Sequence, residues 1–223
     1  MRLYLDSADL AAVAPLLETG LFSGVTTNPL ILQRAGVRLA DVPRLVAALT
    51  SAGARSVFVQ AVSRDADAMV DEGRRIAGLG EQVVVKLPAN RPGLTATVRL
   101  ARDGYPVLVT AVYHARQAVL AAEAGAWGIA PYVGRMDDAG RDGLAQVGEM
   151  QEVLAGSRTL VLAASIRGID VVHQLALRGI DAVTMSTAVA EALLVDRLTD
   201  RAVEEFDAAA RTLAGPASGD DSD

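Results

Sequence analysis

Short apolar, β-branched runs alternate with longer Ala-, Leu- and Arg-rich segments eight times along this chain, and no other feature limits its fold so strongly. The runs cover residues 3–6, 24–28, 57–62, 83–87, 107–111, 128–132, 160–165 and 182–186. Runs this short and this apolar suit strands buried on both faces, as parallel strands are. Their starts lie 21 to 33 residues apart, which leaves room for a crossover helix before each next strand. Residues 65–79 show what fills that room, with Ala66, Met69, Val70, Gly73 and Ile76 on one face at 3.6-residue spacing. Residues 169–178 do the same and stop at Gly179, as a C-terminal cap would. Eight such units predict an α/β fold, a single (β/α)8 TIM barrel over residues 1–214. The last stretch, 189–214, is too long for one closing helix and predicts a C-terminal helical extension. An open doubly wound sheet is the rival, but it usually places a Gly-rich turn after its first strand, where Asp6-Ser7-Ala8-Asp9 stand here. Residues 215–223, GPASGDDSD, contain no large apolar side chain and read as a disordered acidic tail.

Composition narrows the chemistry. At 51% apolar and 22% charged the chain is a globular one, and 223 residues bury enough surface to need no disulfide or structural metal. Zero cysteines exclude a thiolate nucleophile, an iron–sulfur cluster and Cys-ligated zinc. A net charge of −6 with no basic run argues against nucleic-acid or anionic-membrane partners. No apolar stretch reaches membrane-spanning length and residues 1–10 carry no secretory pattern, so the expected compartment is the cytoplasm. GxGxxG, GxxxxGK[ST] and GxSxG are all missing, and the two histidines, His114 and His173, stand in helical stretches in no ligand spacing. No cofactor and no metal are therefore expected. Asp137-Asp138 is the one acidic pair that a magnesium ion could use, and it falls in a Gly-rich stretch that reads as a loop.

In a barrel of this type chemistry collects where the strands end. A polar residue closes every run: Asp6, Asn28 after Thr26 and Thr27, Gln60, Lys86, Thr110, Tyr132, Ser165, and Thr184 or Ser186. Lys86 stands apart because VVVKLP buries an amine, and burial lowers a lysine pKa until the neutral, nucleophilic form is populated. The chain meets its other cationic needs with twenty arginines and has no second lysine. Since a guanidinium is the better partner in a buried ion pair, amine chemistry is the stronger reason for a lysine here; the competing reading is a structural lysine paired with Asp6. A Schiff base also needs a carboxylate and an acid/base group, and Asp6 and Tyr132 are the acid and the phenol at strand ends. Tyr4, Tyr105 and Tyr113 read as packing or surface residues. Arg135 and Arg167 follow strands six and seven closely and suit an anionic substrate.

LYLDSAD, GVTTNP, FVQAV, VVVKLP, TAVY, APYVGR and VLAAS, spread over residues 1–212, resemble the small-subunit transaldolase family and in particular its fructose-6-phosphate aldolase branch. The resemblance implies a class I aldolase that reversibly joins dihydroxyacetone, or a similar small ketone, to an aldehyde such as glyceraldehyde 3-phosphate. Lys86 would form the Schiff base, Asp6 would handle substrate hydroxyls and proton transfer, and Asn28 with Thr26 would contact the same hydroxyls. Gln60, Thr110 and Tyr132 would hold the catalytic water, and Ser165, Arg135 and Arg167 a substrate phosphate. Family transaldolases typically carry Glu and Phe where Gln60 and Tyr132 stand, which favours the aldolase branch. The PYVGRMDDAGRDG stretch looks more like the transaldolase version, so transfer of a dihydroxyacetone unit between sugar phosphates is the second expectation. A barrel that binds sugar phosphates without turning them over is a third. The resemblance further implies homopentamers or homodecamers in which the C-terminal helix lies on a neighbour.

Overall fold

The computed structural model describes residues 1–214, so the tail expected at 215–223 lies outside the described residues. Its eight strands are β1 (Arg2–Asp6), β2 (Phe22–Thr26), β3 (Ser56–Gln60), β4 (Val83–Pro88), β5 (Val107–Val112), β6 (Gly128–Pro131), β7 (Leu160–Ile166) and β8 (Ala182–Met185). They pair in chain order, all parallel, and β8 returns to β1 to close the predicted barrel. Around it run α1 (Leu10–Glu18), α2 (Pro29–Arg34), α3 (Val42–Ser51), α4 (Ala66–Ala77), α5 (Arg91–Arg102), α6 (Ala115–Glu123), α7 (Val133–Asp138), α8 (Gly143–Val153), α9 (Ile169–Leu177), α10 (Thr187–Leu193) and α11 (Arg197–Ala214). The C-terminal extension is α11, a helix of its own after α10.

Four strands, β2, β3, β6 and β8, end earlier than their apolar runs suggest, and after three of them a polar residue just past the strand starts a helix. Asn28 accepts the Ile31 amide at 3.0 Å and starts α2, with Pro29 fixed at its first turn. Ser186 accepts from Val189 at the start of α10. Tyr132 keeps a single bridge to Ala164 and then opens α7. Asp137 and Asp138 therefore stand on a short helix and not in the expected loop. Asp137 accepts the Gly143 amide at 2.9 Å, which ties α7 to α8. His114 is likewise the N-cap of α6 and not a residue within it.

Alternation along the strands builds two tiers inside the barrel. Tyr4, Phe58, Val84, Leu108, Ala130, Leu162 and Ala182 form a cluster separate from the larger one between sheet and helices. Phe58 meets the edge of Tyr4 at 5.4 Å and Trp127 at 5.5 Å, so aromatic rings plug the lower end. Two residues further along, the same inward columns carry Asp6, Gln60, Lys86, Thr110, Tyr132 and Thr184. At the lower end of the strands Gly24 lets β2 and β3 approach closely: a Cβ there would lie 1.9 Å from the Ser56 carbonyl oxygen.

Candidate active site

Above the polar tier lies a cavity of about 390 Å³, and eight of the ten predicted site residues line it: Asp6, Thr26, Asn28, Lys86, Tyr132, Arg135, Ser165 and Arg167. Gln60 and Thr110 do not. Gln60 sits beside Lys86 in the β3–β4 register, and Thr110 is buried behind Tyr132, whose hydroxyl it meets at 2.9 Å.

Lys86 is 3% exposed. Its Nζ donates to the Thr27 carbonyl oxygen at 2.7 Å and forms no ion pair among the described residues. A structural lysine would need a carboxylate in contact, and Asp6 acts on it only through space. Burial pushes the amine from 10.5 down to about 8, with the Asp6 charge offsetting only part of that shift. Roughly one amine in ten is then neutral at pH 7, against fewer than about one in a thousand for an ordinary lysine.

Asp6 is held by hydroxyls. Thr26 Oγ1 donates to its Oδ1 at 2.6 Å and lies 2.7 Å from Thr184 Oγ1. Of the two alternatives at the end of β8, Thr184 is therefore the one that faces the site. Tyr132 is fixed on three sides. Besides Thr110, the edge of Tyr113 packs on its ring at 5.7 Å, and the Arg135 guanidinium stands 4.9 Å from the ring centroid. Burial raises the phenol's pKa, and the Thr110 hydrogen bond and the Arg135 charge only partly offset this. The hydroxyl is therefore protonated at neutral pH and able to donate.

Ser165 reaches the cavity by a break in the strand. A regular β7 would turn residue 165 away from the interior that Leu162 and Ala164 face, but the β7–β8 register shifts there and Ser165 takes a left-handed φ of 60°. Such a backbone costs about 1 kcal/mol or more for a non-glycine residue. Arg167 lies just ahead of α9, whose N-cap is Gly168, rather than on the helix itself. Its Nη1 donates to Asp138 Oδ1 at 2.6 Å and its Nη2 to Asp138 Oδ2.

Arg34, at the end of α2, also lines the cavity, and the sequence reading missed it. Asn28-Pro29 was the usable signal, because a capped helix starting there carries residue 34 along the same rim. Among the described residues no group of three or more His, Asp or Glu converges as metal ligands would. No helix among them is long and apolar enough to cross a membrane.

The model of the family described as transaldolase/fructose-6-phosphate aldolase matches residues 3–217. A probable transaldolase of Hyphomonas neptunium is 40% identical over 208 residues, covering 92% of this chain and 95% of that one. One from Cereibacter sphaeroides is 40% identical over 210 residues, covering 93% and 94%. Among solved structures, a mandelate oxidase variant with a flavin adduct superposes with a TM-score of 0.58 over 84% of this chain and 66% of that one. At 17% identity that likeness speaks to the barrel alone. The family match spans Asp6, Lys86 and Tyr132, and the chain belongs to the transaldolase/fructose-6-phosphate aldolase family.

Proposed function

We propose that this enzyme is a class I aldolase of the fructose-6-phosphate aldolase type, using Lys86 as its Schiff-base amine. The observation that carries the reading is a buried, unpaired amine at about pKa 8 facing a protonated phenol and a carboxylate across one cavity. Neutral Nζ attacks the ketose C2, and the carbinolamine loses water as the Tyr132 side supplies a proton. Asp6 then takes the C4 hydroxyl proton while the C3–C4 bond breaks, its electron pair passing to the iminium to give an enamine. Glyceraldehyde 3-phosphate leaves, the enamine is protonated at C3, and water releases dihydroxyacetone and the free amine. Asn28 and Thr26 sit where they can hold the donor hydroxyls. Arg135, Arg167 and Ser165, which line the same cavity, would hold the phosphate. Gln60 cannot ionise, which leaves Tyr132 as the titratable group beside Thr110 for handling water.

Transaldolase activity is the second reading, favoured by the names of the relatives and by the α7 segment. A coupled assay with fructose 6-phosphate and erythrose 4-phosphate separates the two. Free dihydroxyacetone formed at least as fast as sedoheptulose 7-phosphate is expected, and the reverse order would make transfer the main activity. Borohydride trapping with dihydroxyacetone tests the chemistry common to both. One lysine in 223 residues makes the result easy to read. Label on the Lys86 peptide is expected, and an unlabelled Lys86 peptide would end both readings.

The setting proposed for this chemistry is a cytoplasmic homopentamer or homodecamer that acts on small sugar and sugar-phosphate substrates without a cofactor. Support for assembly comes from α11, which buries no residue and leaves Leu198, Phe206 and Leu213 on one exposed face. Sedimentation of the full chain checks it.

A further inference from the structure

We propose that Asp138 competes with the substrate's phosphoryl group for the guanidinium fork of Arg167, and so sets how strongly the enzyme prefers phosphorylated over unphosphorylated aldehydes. The inference rests on the sugar-phosphate reading of the cavity given above.

Asp138 holds the terminal edge of the Arg167 guanidinium. A guanidinium offers paired donors either along its Nε side or across its two terminal nitrogens. Along the Nε side the chain passes close at Gly134, where a Cβ would fall 2.7 Å from Arg167 Nε and 2.7 Å from the Ser165 carbonyl oxygen. Both oxygens of Asp138 occupy the terminal edge. Both residues line the cavity. A phosphoryl group that takes the terminal edge of Arg167 must therefore displace a carboxylate of like charge.

The exchange is inexpensive. Side chains of Arg167 and Asp138 are 57% and 56% exposed, and pairs this open to water add little stability. Arg135 differs, because its guanidinium rests on the Tyr132 ring and has no carboxylate partner among the described residues. It also acts through space on Asp138, whose carboxyl is held below its ordinary range by the hydrogen bond to Arg167 first and by the two guanidinium charges after that. Asp138 thus stays ionised across the working pH range and never vacates the fork by protonation. An unphosphorylated aldehyde leaves the pair in place, whereas a phosphorylated one must open it.

Asp138→Asn and Asp138→Ala test this in the full-length enzyme, with inorganic phosphate as a competitor of glyceraldehyde 3-phosphate and unphosphorylated glyceraldehyde as the internal reference. Both variants are expected to bind inorganic phosphate about fivefold more tightly, and to lower the KM for glyceraldehyde 3-phosphate relative to glyceraldehyde by a similar factor. Unchanged or weaker phosphate binding in both variants would overturn the proposal, since Asp138 would then be holding Arg167 in position rather than competing with the phosphate. Borohydride trapping of dihydroxyacetone does not require the phosphate end. Failure to trap at Lys86 would count against the aldolase reading, while trapping with unmoved phosphate affinity would count against Asp138 alone.

Discussion

The two tiers inside the barrel are built by the same strands, two residues apart, and they have opposite chemistry. Tyr4 is followed by Asp6, Phe58 by Gln60, Val84 by Lys86, Leu108 by Thr110, Ala130 by Tyr132 and Ala182 by Thr184. One pleat repeat of roughly 7 Å separates a tier of packed rings and aliphatic chains from one of hydroxyls, amides and charges. The lower tier sets the barrel's shape, so the upper one can carry groups that do not help it fold.

Lys86 is where this division should show most strongly. Lys86→Met should abolish turnover and borohydride labelling while making the protein more stable at neutral pH. The amine titrates near 8 in the folded chain and above 10 when unfolded, so between those values the unfolded chain binds more protons and stability rises with pH. Below about pH 8 the whole cost of burying the charge is present, on the order of 3 kcal/mol. Losing the donor to the Thr27 carbonyl oxygen returns ~1 kcal/mol of that, which leaves a gain of roughly 2 kcal/mol at pH 7 that fades by pH 10. Urea unfolding at the two pH values reads it out, and equal gains at both would remove desolvation as the cause. The same titration predicts that wild-type kcat/KM rises tenfold per pH unit below about 8 and levels off above it.

Phe58→Ala breaks the lower tier instead. The ring is fully buried between Tyr4 and Trp127, and removing it should cost about 3–5 kcal/mol. The folded fraction should keep Schiff-base formation, because no ring of the plug lines the cavity. A variant that unfolds no more easily but loses labelling would show that the tiers are coupled.

The lower tier and the barrel were legible in the sequence because strands buried on both faces write unbroken apolar runs, and eight of them leave few architectures. The site was legible to the extent that a polar residue interrupts such a run, which is why Lys86 and Asp6 could be singled out. Three kinds of information were not written there. Asn28, Tyr132 and Ser186 look like strand ends, yet serve as helix starts, and a six-residue helix such as α2 or α7 is too short to show a period. Ser165 faces the cavity only because the strand register slips, and alternation alone would point it outward. The pairing of Asp138 with Arg167 joins residues 29 apart in sequence, one at the end of α7 and one just ahead of α9, and nothing local announces it.

The smallest expected effect lies in the hydroxyl chain beside Asp6, and it tests whether the upper tier works through orientation rather than stability. Thr26 has one hydroxyl proton, and at 2.6 Å from a carboxylate oxygen that proton goes to Asp6. The 2.7 Å contact with Thr184 must then be donated by Thr184, which makes it the first member of a directed chain ending on Asp6 Oδ1. That chain leaves Asp6 Oδ2 without a hydrogen-bond partner among the described residues and available to substrate. Thr184→Val keeps the shape and removes one proton, so Thr26 can still donate to Asp6 but can rotate away from it. Stability should fall by no more than about 1 kcal/mol, and kcat/KM by roughly threefold to tenfold. Thr184→Ser should restore the rate, since it returns the hydroxyl without the methyl group. A large stability loss with an unchanged rate would assign Thr184 to the lower tier's work and place the boundary between packing and chemistry two residues higher on β8 than the geometry does.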